Sequence, residues 1–219
     1  MSAPLKSLQP VWDLPARISH WLLVILITYS WRSAENGYLE YHRYSGYALL
    51  GIVTFRVYWG FAGSSTARFA NFIHGPARTW QYVRELWRKR QPEVVGHNPL
   101  GAWSILALLT LLAVQIGLGL FSVDVDGLES GPLSEHVSFD TGRACAHWHE
   151  RVFNVLLAFI GLHIAAVAYY WLAYRKNLVA SMLHGKAALP TSAAPVEFAS
   201  GVRFVIGVVL AALLVWLVV

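Results

Sequence analysis

Long runs of apolar residues, broken only by short polar stretches, set the pattern of this chain. Five such runs lie at about 15–33, 41–62, 99–122, 146–174 and 202–219. None shows the one-sided stripe of a helix on a soluble protein. A helix that is apolar on all sides belongs in a membrane or a large core, and about 20 helical residues cross a hydrocarbon layer of about 30 Å. The pattern predicts an all-α integral membrane protein with five spans. Asp13 and Pro15 open the first as a cap and first-turn pair. Between spans two and three, Ala77–Arg90 (ARTWQYVRELWRKR) places Trp80, Val83 and Trp87 at three- and four-residue steps, with arginines opposite. That is the pattern of a helix lying along the membrane interface. Ala187–Pro195 (AALPTSAAP) reads as a flexible linker into the fifth span.

Composition agrees with the pattern. The chain is 56% hydrophobic and 13% charged, with a mean hydropathy of +0.47; a soluble domain is about 25% charged. Ten each of Trp, Tyr and Phe suit aromatic belts at two interfaces. The net charge of +5 sits in loops, so it points to membrane orientation rather than to nucleic acid. Arg68, Arg78, Arg84, Arg88, Lys89 and Arg90 lie between spans two and three, and Arg175, Lys176 and Lys186 follow span four. The segment between spans three and four holds Asp124, Asp126, Glu129, Glu135 and Asp140 against Arg143. Positive loops stay inside, which predicts a cytoplasmic N-terminus and a periplasmic C-terminus in a bacterial inner membrane. Cys145 is the single cysteine, which excludes an internal disulfide and covalent attachment of haem through CxxCH. No cleavable signal peptide is visible, and the first span is expected to act as an uncleaved insertion signal.

The histidines add chemistry to this frame. His149 and His163 stand fourteen residues apart in span four. Fourteen helical steps return to within about 40° of the same face, roughly 21 Å further along. Ionisable residues inside a membrane are costly and mark function by default. His20 and His42 also fall within spans, and depth pairs them. His42 and His149 begin their spans on the periplasmic side, while His20 lies near the cytoplasmic start of span one, toward the level of His163. Each pair can ligate one six-coordinate b-type haem, an arrangement suited to electron transfer. Because His20 is three residues from Arg17, it reaches the depth of His163 only if the first helix extends or tilts. His147 competes with His149 but lies about 160° round the helix from His163. His74, His97, His136 and His184 read as surface or interface residues. A zinc site would need three or four ligands at one depth, and the two-level arrangement argues against it.

Other residues fit a porphyrin. Gly46 is one turn beyond His42, and Gly117 and Gly119 lie in span three, where small residues allow close approach; plain helix packing explains them equally well. Arg56 sits fourteen residues beyond His42 and needs an anion, which a haem propionate can supply. Snorkelling to the cytoplasmic surface is its other reading. Arg17 and Arg151 are weaker propionate candidates.

Four segments carry a family resemblance: ISHW at 18–21, HRYSGYALLGIVTFRVYWGFAG at 42–63, VGHNPLGAWS at 95–104 and WHERVFNVLLAFIGLH at 148–163. In these the chain resembles the bacterial cytochrome b561 and Ni,Fe-hydrogenase b-type cytochrome subunit family. The resemblance implies a four-helix transmembrane bundle holding two b haems, ligated by His20, His42, His149 and His163, across residues 1–185. Residues 186–219 would then add a linker and a fifth transmembrane helix. The loop at 34–40 is short and span five is extra to the four-helix core, so a c-type cytochrome is as good a periplasmic partner as a hydrogenase.

The expected function is electron transfer across the membrane between a periplasmic redox protein and the quinone pool. A quinone site is expected near Arg56, His74 and the amphipathic helix. Two alternatives stand beside this reading: a stand-alone superoxide:quinone oxidoreductase, and a non-redox transporter or assembly anchor. The acidic 123–146 segment weighs against attraction of superoxide.

Overall fold

The computed structural model describes residues 6–88, 94–126 and 129–219. The described chain is mostly helical. In order it forms β1 (Lys6–Pro10), α1 (Leu14–Glu35), α2 (Leu39–Ala62), α3 (Phe69–Phe72), α4 (Pro76–Trp87), α5 (Pro99–Phe121), a 3-10 turn (Ser134–His136), α6 (Phe139–Tyr174), α7 (Leu178–His184), β2 (Lys186–Pro190) and α8 (Gly201–Val218). The five long helices match the five apolar runs. By length and composition, α5, α6 and α8 are apolar enough to cross a membrane. Charged side chains, Arg17 and Arg32 in α1 and Glu40, Arg43 and Arg56 in α2, interrupt the other two.

Local chemistry fixes the helix starts. The Asp13 carboxylate accepts the Ala16 N–H at 2.7 Å, and Asn98 Oδ1 accepts the Gly101 N–H at 2.8 Å. Pro15 and Pro99 occupy the first turns that follow, where a missing N–H costs nothing. Ser138 caps α6 through the Thr141 N–H at 3.2 Å. That cap starts α6 seven residues before the apolar run expected at 146. A helix of 36 residues is about 54 Å long, so its first turns rise beyond the hydrocarbon layer.

Two sequence expectations need correction. The all-α description omits a small antiparallel sheet, in which Lys6 pairs with Pro190 and Pro10 with Lys186. The supposed linker at Ala187–Pro195 therefore begins as a strand tied to the N-terminal segment. Gly185, at φ +81°, ends α7 in a left-handed turn. Its carbonyl then accepts the Val11 and Trp12 N–H groups at 2.8 and 3.0 Å. Five-residue strands that end in proline carry too little alternation to read in advance.

Helix α1 packs on α2, α5 on α6, and α2 on both α5 and α8. The centre is an apolar layer of Leu49, Val53, Leu112, Ile116 and Leu156, with Leu23, Leu26 and Ile27 of α1 against it. Leu49 and Leu156 lie seven residues inward of His42 and His149. Arg56 and His163 lie seven further, so this layer separates two polar levels. Exposed apolar residues such as Ile25, Leu162 and Leu217 cover the outside, as a lipid-facing surface requires.

The interfacial helix forms at Pro76–Trp87; Lys89 and Arg90 of the expected segment lie outside the described residues. Trp80 and Trp87 are exposed, and Tyr82 docks the helix. Its hydroxyl bonds that of Tyr170 at 2.9 Å, while Asn98 Nδ2 donates to the Tyr170 hydroxyl at 3.2 Å. Tyr170→Phe removes both bonds, at about 1–2 kcal/mol. Amide exchange across α4 should rise several-fold while exchange in α5 stays unchanged, and equal protection of α4 in both proteins would show that it is held otherwise.

Candidate functional site

Two clusters of histidine form, one on each side of the apolar layer. In the outer cluster the His42 and His149 rings stand 5.9 Å apart between centroids, at 88°. His42 Nδ1 lies 2.9 Å from the Ser30 carbonyl oxygen and 3.1 Å from its hydroxyl. His149 Nδ1 lies 2.9 Å from the Gln115 carbonyl oxygen. A carbonyl only accepts, so each Nδ1 carries the proton and each Nε2 keeps a free lone pair. This is how proteins orient an imidazole that ligates a metal.

Glycine makes the outer cluster possible. A Cβ at Gly119 would sit 2.9 Å from His149 Cε1, whereas at Gly46 and Gly117 it would meet nothing within 4 Å. Gly119 therefore gives the imidazole its position, while Gly46 and Gly117 border open space that a flat macrocycle can use. Gly119→Val should displace the His149 ring and reduce cofactor retained at the outer level at least several-fold. Gly161→Ala, where an added Cβ would meet nothing within 4 Å, should not, and equal retention in both variants would remove the role given to Gly119.

The inner cluster gathers His20, Arg56, His97 and His163. His20 interacts electrostatically with His163 and Arg56, and His97 with Arg56, His163 and His20. Three buried polar atoms here lack a hydrogen-bond partner: His20 Nδ1, Arg56 Nη1 and His97 Nδ1. Asp13 supplies the opposing charge to Arg56 and accepts the Trp59 indole N–H at 2.9 Å. Buried, unpaired donors of this kind call for a further partner, and the guanidinium suits a carboxylate. The shielded Nη1 of Arg56 argues against snorkelling.

His97 overturns its reading as an ordinary surface histidine. The ring is held between Trp12 and Phe72, with centroids at 4.5 and 4.6 Å. Burial, reinforced by Arg56, pushes its pKa down to about 3, so it is neutral. The signal was the run Gly96–His97–Asn98–Pro99. Gly96 adopts φ +84°, Asn98 caps α5 and Pro99 opens it. These local requirements lock His97 at the mouth of the helix.

Two propionate candidates point elsewhere. The Arg17 guanidinium donates to the carbonyls of Met182, at 3.3 Å, and Leu183. It thereby closes the C-terminal end of α7, where a cation is favoured. Arg151 donates from Nε to His147 Nε2 at 2.7 Å on an exposed face, one turn apart. Helical phase turns that face away from His149, as it does for His147. The sequence reading also missed Ser30 and Gln115, whose backbone carbonyls leave no side-chain signature; the Ser30 hydroxyl adds a second contact to His42.

A helical membrane protein with two histidines facing each other at one depth, their imidazole lone pairs free, and further histidines gathered around a buried arginine at a second depth, suits a b-type cytochrome. The chain belongs to the prokaryotic cytochrome b561 family, whose model matches residues 11–185. It is similar to a probable Ni/Fe-hydrogenase B-type cytochrome subunit of Azotobacter chroococcum mcd 1, 24% identical over 209 residues, covering 80% of this chain and 86% of the relative. The corresponding protein of Azotobacter vinelandii is 23% identical over the same shares. That of Rhizobium leguminosarum bv. viciae is 24% identical, covering 80% of this chain and 87% of the relative. No solved structure matches the chain. Membership makes it a membrane electron-transfer protein that carries haem b.

Proposed function

We propose that the protein is a di-haem cytochrome that carries electrons across the bacterial inner membrane between a periplasmic redox partner and the quinone pool. The observation that carries this reading is the outer pair, His42 of α2 facing His149 of α6 with both lone pairs free, and its support is the second gathering of histidines, His20 and His163 among them, beyond the leucine layer. His42 and His149 would hold the outer haem and His20 and His163 the inner one. Haem b bound at these levels supplies one-electron carriers, and two imidazoles per iron leave no open site for small ligands. Arg56 neutralises a propionate at the inner level, and Gly46 and Gly117 give the macrocycles room. Residues 1–185 form the di-haem bundle, with β2 tied back onto it, and α8 is a fifth transmembrane helix, completing four helices plus one.

Loop charge orients the bundle. The arginines around α4 and the small sheet lie on the cytoplasmic side, so the N-terminus is inside and the C-terminus outside. The segment from Val123 to Cys145 lies in the periplasm. There Arg43 pairs with Glu129 at 3.2 Å, which leaves Asp126, Glu135 and Asp140 exposed to receive a partner. The partner is a hydrogenase-like protein or a c-type cytochrome with a basic docking face, and its on-rate falls with salt.

A reduced-minus-oxidised visible spectrum of the purified protein tests the reading. Expected are a b-type α-band and two one-electron waves in a potentiometric titration. A protein without the α-band is no haem carrier, and a single wave with one haem per chain removes the two-level assignment.

A further inference from the structure

The fifth long helix stands off the bundle in one place. It is pinned to α2 where Gly207 packs against Tyr58 and Phe55, with a built Cβ only 2.7 and 3.1 Å from them. It is pinned again at its base, where the Ser65 N–H donates to the Glu197 carbonyl at 2.9 Å and the Ala199 N–H to the Ser64 hydroxyl at 3.0 Å. Helix α8 does not pack closely on α1. Between the two attachments a slot of about 460 Å³ opens among α1, α2 and α8, within the usual range of small-molecule sites of roughly 300–1,000 Å³.

The slot is graded in polarity. Its cytoplasmic end holds Asp13, Ser64 and Ser200, and its deeper end Leu22, Ile52 and Val208. Between them are Phe55, Trp59 and Phe204; Phe204 stands edge-on to Phe55 at 5.8 Å and to Trp59 at 6.4 Å. Ser64 is 1% exposed, and its oxygen accepts from Ala199, so its own O–H is free to donate to a ligand. Both Asp13 oxygens already accept hydrogen bonds, from Ala16 and Trp59. A single buried donor between aromatic walls suits a neutral carbonyl on a flat ring. The Asp13 carboxylate at the same end opposes a phosphate headgroup. The opposite wall of α1 and α2 carries His20 and Arg56, next in sequence to Ser19 and Phe55 of the slot.

We propose that this slot binds the ring of a membrane quinone, with one carbonyl on the Ser64 hydroxyl and the tail running past Val208 into the lipid. The site differs from the region around Arg56 and His74 expected from the sequence, and it gives α8 a purpose. It rests on the quinone-linked reading above but is tested by binding alone. The full-length protein in detergent is titrated calorimetrically with a decyl-tailed benzoquinone. Val208→Trp, which fills the slot, should abolish binding, and Ser64→Ala should weaken it roughly three- to tenfold, the worth of one neutral hydrogen bond. Both variants should keep the wild-type haem spectrum, which shows an intact bundle. Equal binding by wild type and Val208→Trp overturns the slot and leaves the di-haem assignment standing. Retention of phospholipid alone, with no displacement by the quinone in native mass spectrometry, overturns it too. A protein without b-type haem that still shows Val208-sensitive binding refutes the cytochrome reading and upholds the slot.

Discussion

His149→Ala and His20→Ala should each remove one b haem, and not the same one. At the outer level the Gln115 carbonyl fixes the His149 ring from behind, which aims its Nε2 toward His42. His147 cannot substitute, because it faces the other side of α6 and accepts from Arg151. Without His149, only His42 would remain at this level to hold the group, and a site built for two imidazoles would retain it less well. Pyridine haemochrome analysis should fall from about two haems per chain to about one in each variant. The two should then lose different waves of the potentiometric titration. Loss of the same wave by both would mean that His20 and His149 serve one haem, and the pairing by depth would be wrong. Retention of two haems by His149→Ala would assign the outer ligand elsewhere.

The largest loss of stability outside the ligands is expected at Asp13. One carboxylate caps α1 through Ala16, accepts the Trp59 indole N–H and faces Arg56. It is 7% exposed, and Trp59 is 1% exposed. Alanine removes a cap worth about 1 kcal/mol and strands a buried indole N–H at about 1–3 kcal/mol. It also removes an opposing charge that acts on Arg56. The cap and the indole bond share one carboxylate, so a total of about 2–4 kcal/mol is expected. For a chain of this size that lowers Tm on the order of 10 °C. Asp13→Asn keeps one acceptor oxygen, for Ala16, but turns an NH2 group toward the Trp59 indole N–H, so it loses both the charge and the Trp59 bond and should melt between wild type and the alanine variant. Thermal unfolding in detergent reads all three proteins. An alanine variant that melts with the wild type would show that Asp13 is not shared among the three groups.

Both experiments probe places where sequence and structure contributed unequally. The ligand candidates were legible because a helix has a fixed period and a membrane makes histidine rare. Fourteen residues between His149 and His163 set a face and a depth difference with no knowledge of the neighbours. What orients the outer pair was not legible, because the shortest contacts come from the backbone carbonyls of Ser30 and Gln115, which every residue has, and the Ser30 hydroxyl reaches His42 only through the packing of α1 on α2. Arg56 was visible as a charge in an apolar run, but its relation to Asp13 crosses 43 residues of chain and depends on how α1 meets α2. His97 was misread because burial of a loop residue depends on what folds over it, here Trp12 and Phe72 from two other segments.

Apolar run length, helical phase and loop charge are properties of local chain geometry and of the solvent around it. By themselves they determined the long helices, the candidate spans and the depths at which histidines sit. The tertiary structure alone decided the rest: the strand pairing of the N-terminal segment with residues 186–190, the Gly119 seat beneath His149, the inner gathering around Arg56 and the slot beside α8. Each of these depends on which helix lies against which. Packing between segments far apart in the chain is a property of the whole molecule, and no window of the sequence contains it.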